Sequence, residues 1–153
     1  MTVRMSEQER RAFLAGVHVA VISLTDPGRG PLAAPIWYAY QPGGEVWFVT
    51  ERDSRKGRLI TAGARVTLCV QTETAPYQYV SVEGPVTAIE PADVERDTRP
   101  LARRYLGFER GDRYVETTGG VEGHRGSIRV SVRPERWLTV DYGKVGGAAV
   151  GGD

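Results

Sequence analysis

Cysteine is all but missing from this chain. Cys69 stands alone among 153 residues, which excludes a disulfide framework and a cysteine metal cluster. Its place within an apolar strand pattern reads as a small buried core residue. Histidine is as scarce: His18 and His124 are far apart in sequence, and two distant histidines with one cysteine do not make a metal site. Charge of one sign is lacking too. Against 20 Lys+Arg stand 19 Asp+Glu, a net charge of +1, so there is no broad basic field for nucleic acid or a membrane surface, and charge-driven binding must be local. An oligonucleotide-binding barrel, which needs a basic groove interleaved with aromatics, is disfavoured on the same ground. No apolar run reaches membrane-spanning length, and residues 1–11 lack the apolar stretch of a signal peptide. The expectation is a soluble, cytoplasmic protein. A nucleophile elbow, a P-loop and a dinucleotide glycine fingerprint are missing as well. Lysine is nearly absent, with only Lys56 and Lys144 in an arginine-rich background.

What remains reads as one domain over residues 1–142, long enough for its own core, with a flexible Gly/Ala-rich tail over 143–153. Ser6-Glu-Gln-Glu9 is a capping box that opens a short amphipathic helix ending near Phe13 and Leu14. Segments rich in Val, Ile, Tyr, Trp and Thr then predict strands at Val17–Leu24, Ala33–Tyr40, Glu45–Thr50, Arg65–Gln71, Gln78–Ile89, Ser127–Arg133 and Arg136–Val140. Turn signals at Asp26-Pro-Gly28 and Pro42-Gly-Gly44 suggest that the first four form an antiparallel meander. A helical insertion is expected over 92–119, divided at Pro100 and stopped at Gly107. Glu90, Asp93, Glu95 and Asp97 beside it read as a solvated face. Many short strands with few helices suggest a small barrel.

The stretch Thr50-Glu-Arg-Asp-Ser-Arg-Lys56 carries the chemistry. A strand ends at Thr50, Ser54 is a cap residue, and Arg55 and Lys56 fall in the first helical turn, where the helix dipole disfavours cations and a phosphate would offset the cost. A capped, solvated helix start is the competing reading. In Ala34-Pro-Ile-Trp-Tyr38, Pro35 removes a ladder donor and places the strand at an edge or bulge, leaving the backbone of Pro35, Ile36 and Trp37 free to read the polar edge of a flat ring. Trp37 and Tyr38 are equally well explained as ordinary strand aromatics, one buried and one exposed. Gln78 and Tyr79 open a strand thought to end in a bend at Gly84; their polar tips reach either a ligand or neighbouring backbone. His18 reads as a satisfied strand histidine and His124 as solvated.

Together these segments resemble the pyridoxamine 5′-phosphate oxidase-like split β-barrel superfamily, which includes flavin- and deazaflavin-dependent oxidoreductases. The likeness is best from Thr50 through Val70 and continues in Val80-Ser-Val-Glu-Gly84. The variant Pro35-Ile-Trp-Tyr38 and the closing Arg133–Tyr142 are more similar to the branch that uses coenzyme F-420, with FMN users close by. The resemblance implies a mainly β split barrel with short helices and a homodimer with cofactor sites at the subunit interface. It further implies a ring beside Ala33–Tyr40, a phosphate held by Ser54, Arg55 and Lys56, and residues near Trp137 contributed by the second subunit. The expected activity is hydride transfer between bound coenzyme F-420 or FMN and a small-molecule substrate. A non-catalytic module that stores or delivers a flavin, haem or related tetrapyrrole is the alternative.

Overall fold

Ser6 opens the first helix, α1 (Glu7–Ala15), as its capping box predicts: the Glu9 N–H donates to Ser6 Oγ at 3.1 Å and the Ser6 N–H donates to Glu9 Oε1 at 2.9 Å. The computed structural model describes residues 2–145. Eight strands follow α1: β1 (Ala20–Leu24), β2 (Leu32–Ile36), β3 (Ala39–Tyr40), β4 (Val46–Glu51), β5 (Arg65–Gln71), β6 (Gln78–Pro91), β7 (Ser127–Val132) and β8 (Arg136–Asp141). The segment read as one strand from Ala33 to Tyr40 is two, interrupted at Trp37 and Tyr38. His18 precedes β1 instead of lying in it. Its Nε2 is 3.0 Å from Phe13 O and its ring stacks on Phe13 at 4.5 Å, so it closes the end of α1.

The strands run in the order β2-β1-β5-β6-β7-β4-β3, with β8 also on β6. The expected four-strand meander therefore fails at its last step. β4 pairs with β7, and β5 pairs with β1, because the turn and short helix α2 (Arg55–Leu59) carry the chain from one sheet to the other. The 14-residue β6 joins the two sheets: Gln78–Glu83 pair with β8, and beyond an irregularity between Val86 and Ala88 the strand continues along β7 to Pro91. Gly84 does not end the strand. A Cβ there would lie 1.7 Å from Arg133 O, so the chain between β7 and β8 crosses β6 at the one position without a side chain. The result is a curled split β-barrel.

Period-two alternation fills its interior. Ile22, Leu68, Val80, Val82, Val46, Phe48 and Val130 point inward and are buried, each worth roughly 1.5–3 kcal/mol against exposure. Cys69, expected in the core, alternates out of it with only partial cover. Burial still raises its thiol pKa.

The insertion comprises a π-helical turn (Val94–Thr98), α3 (Arg99–Leu106), α4 (Phe108–Thr117) and α5 (Gly120–Gly123), running past the expected end at Gly119. The chain stays helical through Pro100, which falls in the first turn of α3, where no N–H is needed. The division comes at Gly107, with φ +86°. Tyr105 seals the gap left where β2 breaks: its hydroxyl accepts the Tyr38 N–H at 3.0 Å and donates to His18 O at 2.6 Å. Tyr38 itself is buried and donates to Leu14 O at 2.6 Å.

Asp97 is not on a solvated face. Its carboxylate is 0% exposed and takes Arg129 of β7 at 2.8 Å and Arg96 at 2.8 Å, with the Asp93 N–H at 2.9 Å. Burial pushes its pKa up, but the Arg96 guanidinium, the Asp93 amide and Arg129 outweigh burial and hold it below the usual carboxylate value. Beyond Asp141 a 3-10 turn (Tyr142–Val145) places Lys144 Nζ 2.7 Å from Glu9; the remainder of the expected tail, 146–153, lies outside the described residues.

A depressed folded pKa means that Asp97 stabilises the fold fully above its unfolded value, about 3.9, and that this contribution is lost as pH falls through the lower folded value. Asp97→Asn, which leaves Arg129 partly buried and unpaired, is expected to cost about 3 kcal/mol at pH 7. The penalty should shrink in urea titrations run at progressively lower pH below that value.

Candidate functional site

A cavity of about 390 Å³ opens where β2 breaks, between the ends of β2 and β4, α2 and the insertion. Three walls meet there. The β2 wall supplies Pro35, Ile36 and Trp37, with Val19 just ahead of β1; β4 and α2 supply Val49, Thr50, Glu51 and Lys56; the insertion and the loop after it supply Thr98, Leu101, Tyr114, His124 and Ser127. Trp37 stacks on Tyr105 at 5.1 Å and 7° and meets Tyr114 at 5.3 Å and 53°, so the insertion holds the indole against the end of the broken strand.

β2 is the terminal strand of its sheet, paired only with β1 among the described residues, and Pro35 sits opposite Val21. This is where a proline in a strand is tolerated. The cap at Ser54 is formed: its Oγ accepts the Gly57 N–H at 3.0 Å and lies 2.7 Å from Glu51 O. That geometry commits Ser54 to the turn. Arg55 and Lys56 part company. The Arg55 guanidinium bonds Asp26 in the β1–β2 loop and does not line the cavity, so the protein itself supplies the anion its position calls for. Lys56 lines the cavity, and among the described residues no carboxylate lies within ion-pair distance of it. Burial lowers its pKa, a sign that its ammonium lacks compensation.

Gly57 explains how the two cations separate. A Cβ at that position would fall 2.1 Å from Glu51 O and 2.7 Å from Arg52 O, so α2 folds directly onto the end of β4 and swings Lys56 inward.

Of the remaining sequence-derived candidates, Thr50 lines the cavity, whereas Gln78, Tyr79 and Trp137 do not. Gln78 donates its N–H to Thr72 Oγ1 at 2.9 Å, and Tyr79 stands between Gln71 and Val140 in the sheet. Trp137 packs against the core with the Arg10 guanidinium 4.6 Å above its ring. The sequence reading passed over Thr98, Leu101, Tyr114 and His124. Thr98 Oγ1 is buried with no partner among the described residues. His124, expected in solvent, is half-buried and lies 2.7 Å from Thr118 Oγ1. The aromatic spacing of the insertion hinted at Tyr114; nothing local marked His124. No helix among the described residues is long and apolar enough to cross a membrane, and they contain no group of three potential metal ligands.

The geometry defines a split barrel with a cavity at the break of its terminal strand, and the sequence places it in a family. Residues 6–140 match the profile of the pyridoxamine 5′-phosphate oxidase family, and the chain belongs to that family. Among solved structures it is similar to an F420 reductase, with 23% identity, TM-score 0.69, and 84% of this chain and 94% of that one covered. It is also similar to a conserved hypothetical protein from Mycobacterium tuberculosis, with 22% identity, TM-score 0.73 and coverage of 95% and 90%. A third is an FAD and heme binding protein from Mycobacterium smegmatis, with 16% identity, TM-score 0.62 and coverage of 94% and 79%. At these identities the likeness is one of fold. No curated protein sequence matches significantly.

Gly57→Ala is expected to destabilise the protein by about 1–3 kcal/mol, since the added methyl overlaps rigid backbone. It should also displace Lys56. Thermal unfolding checks the first effect, and the Lys56 amine resonance, which should return toward the ordinary lysine pKa, checks the second.

Proposed function

We propose that the cavity binds a flavin or deazaflavin cofactor, coenzyme F-420 or FMN, and that the chain is an oxidoreductase moving a hydride between that cofactor and a small organic acceptor. The observation that carries this is Lys56: a half-buried ammonium with no carboxylate within ion-pair distance among the described residues, in a cavity that sets the apolar side chains of Val19, Ile36, Trp37, Val49 and Leu101 beside the polar ones of Thr50, Glu51, Thr98 and Ser127. The donor set fits a flat group with an anionic tail. Lys56 offers a charge-assisted bond to a phosphate, the orphaned Thr98 hydroxyl is a further polar contact, and the free edge of β2 offers main-chain groups from Pro35 to Trp37 for a ring's polar rim. Such a cofactor supplies the hydride chemistry when bound. The chain's own part is to hold it, to keep the aromatic wall dry and to orient an acceptor. Structural neighbours described as an F420 reductase and as an FAD-binding protein from Mesorhizobium loti support the reading.

The phosphate contact rests on Lys56 and not on Arg55, which Asp26 already neutralises. Lys56→Ala should weaken FMN or coenzyme F-420 about 10- to 100-fold, the loss of one charge-assisted bond, and leave riboflavin within about twofold. Arg55→Ala should change neither by more than about twofold. Fluorescence titration measures all three; equal loss of FMN and riboflavin in Lys56→Ala would overturn the assignment.

The second reading is a binding module without turnover, favoured by the likeness to an FAD and heme binding protein. Reoxidation decides between them. A reduced cofactor that stays bound and reduced through a panel of quinones and enones supports the module.

We further propose that the chain works as a homodimer through the outer face of β1, β5, β6 and β8. A cross-strand row there runs Pro35, Val21, Cys69, Ser81, Leu138, with Val21 44% and Leu138 62% exposed, and Val19 at its margin also lines the cavity. Apolar side chains in such a row favour a covering partner. Leu138→Asp should convert a dimer to a monomer in light scattering, with little change in the secondary structure, because the side chain supports nothing in the single chain.

A further inference from the structure

Tyr105 stands where a rung of the sheet belongs. β1 and β2 pair with Ala20 opposite Ile36 and Val21 opposite Pro35, and continuing that register by two residues sets His18 opposite Tyr38, with Val19 opposite Trp37 between. The Tyr38 N–H and His18 O face each other there, as in a pair that exchanges its N–H···O bonds directly, but a phenol oxygen lies between them. The Tyr105 hydroxyl accepts the Tyr38 N–H at 3.0 Å, donates to His18 O at 2.6 Å and lies 3.1 Å from Tyr38 O. It therefore touches three of the four backbone groups that direct pairing would join, and the ladder stops at Ala20 and Ile36. Both flanking residues are held by other bonds as well: the Tyr38 hydroxyl donates to Leu14 O at 2.6 Å, and His18 Nε2 is 3.0 Å from Phe13 O. Arg104, the neighbour of Tyr105, grips the same approach to β1, 3.0 Å from Ala15 O and 2.9 Å from Gly16 O. The end of α3 is thus seated on the chain that it splits.

We propose that Tyr105 is a positioning residue: a wedge that holds the β1–β2 ladder open by one rung and so keeps the cavity wide enough for a flat ring. Direct pairing of His18 with Tyr38 would satisfy the same backbone groups without the phenol. It would also make Val19 and Trp37 a non-hydrogen-bonded pair, the closer of the two antiparallel kinds, with Cα atoms about 4.5 Å apart. Val19 and Trp37 both line the cavity. Closing the rung therefore draws two residues of the lining together. The wedge acts a second time through its ring, which stacks on the Trp37 indole at 5.1 Å and 7°, so the side chain that parts the strands also sets the plane of the indole. The identity of the ring as a flavin or deazaflavin rests on the cofactor reading above; the parted ladder does not. A ring that enters only the parted form binds with an affinity scaled by the fraction of chains in that form, and without the Tyr105 hydroxyl that fraction falls.

Tyr105→Phe in the full chain is the test, because it keeps a ring over Trp37 and removes the bridging oxygen. The first readout needs no cofactor. The wild type should show no Hα–Hα nuclear Overhauser contact between Val19 and Trp37, and Tyr105→Phe should show one, the mark of a close antiparallel pair. The second is affinity: riboflavin and FMN should each bind about 10-fold more weakly in fluorescence titrations, as when the competent fraction falls to about a tenth. Equal loss separates the wedge from the phosphate contact, since Lys56→Ala spares riboflavin. A tyrosine with a merely structural role would lower the melting temperature and leave both affinities alone. A ladder still parted in Tyr105→Phe, unchanged riboflavin affinity, or loss confined to FMN overturns the proposal. If Tyr105→Phe does not fold, the wild type decides. Riboflavin at about 100 times its Kd should slow solvent exchange of the Tyr105 hydroxyl proton about 100-fold, because a bound ring suppresses the form from which the phenol has withdrawn; an unchanged rate overturns the wedge. A wild-type chain that binds neither flavin overturns the cofactor reading, and the Val19–Trp37 contact then decides the wedge alone.

Discussion

The buried Asp97 carboxylate is the contact on which the cavity depends. It joins the π-helical turn of the insertion to Arg129 of β7 and is closed off by Arg96 and the Asp93 amide. An isolated carboxylate in that position would be untenable, and its two guanidinium partners make it a fastening. Arg129 is held in turn over the Trp47 ring at 4.2 Å. With the turn pinned to the sheet, α3 and α4 lie over the broken end of β2, where Tyr105 caps the exposed backbone and Trp37 gains its stacking partner. Without the insertion the break would be an unsealed gap; with it, the gap becomes a walled cavity.

The site owes its polarity to two neighbouring cations treated differently. Arg55 is answered by Asp26, and Lys56 is drawn inward by the close seating of α2 on β4 and left unanswered there. An ammonium that has lost solvent without gaining a carboxylate partner favours any anion able to enter. On the proposed reading that asymmetry supplies a contact for a charged tail, and the neighbouring Ile36, Leu101 and Trp37 supply apolar surface for a flat body.

Much of the fold was legible along the chain, and for identifiable reasons. The capping box at Ser6 and the strand Arg65–Gln71 are local: one depends on residues three apart, the other on strict alternation of Val66, Leu68 and Val70 inward. Pro35 correctly marked a terminal strand. The errors arose where a long-range contact overrode a local signal. Gly84 resembled a bend but is a crossing point for Arg133, and the acidic run before α3 resembled a wet surface until Arg129, 32 residues on, buried Asp97. The likeness to split barrels implied a phosphate on Ser54, Arg55 and Lys56 with Trp137 from the second subunit, and the strand pattern added Gln78 and Tyr79 as candidates. Among these only Lys56 lines the cavity of the single chain: Ser54 and Arg55 are spent on the turn, and Gln78, Tyr79 and Trp137 lie on β6 and β8 away from its lining, Trp137 being expected from the second subunit.

By itself, then, the amino-acid order determined most of the barrel's strands, its capped turns and a near-neutral charge. Those properties follow from periodicity, turn chemistry and composition, which act over a few residues. Only the tertiary structure decided that Arg55 meets Asp26 while Lys56 has no carboxylate within ion-pair distance among the described residues, and that Tyr114 and His124 share a cavity with Pro35 and Trp37. Those depend on the path by which the insertion is tied back across β7, and the meeting at one cavity of residues about 90 positions apart, such as Pro35 and His124, leaves no mark on either neighbourhood.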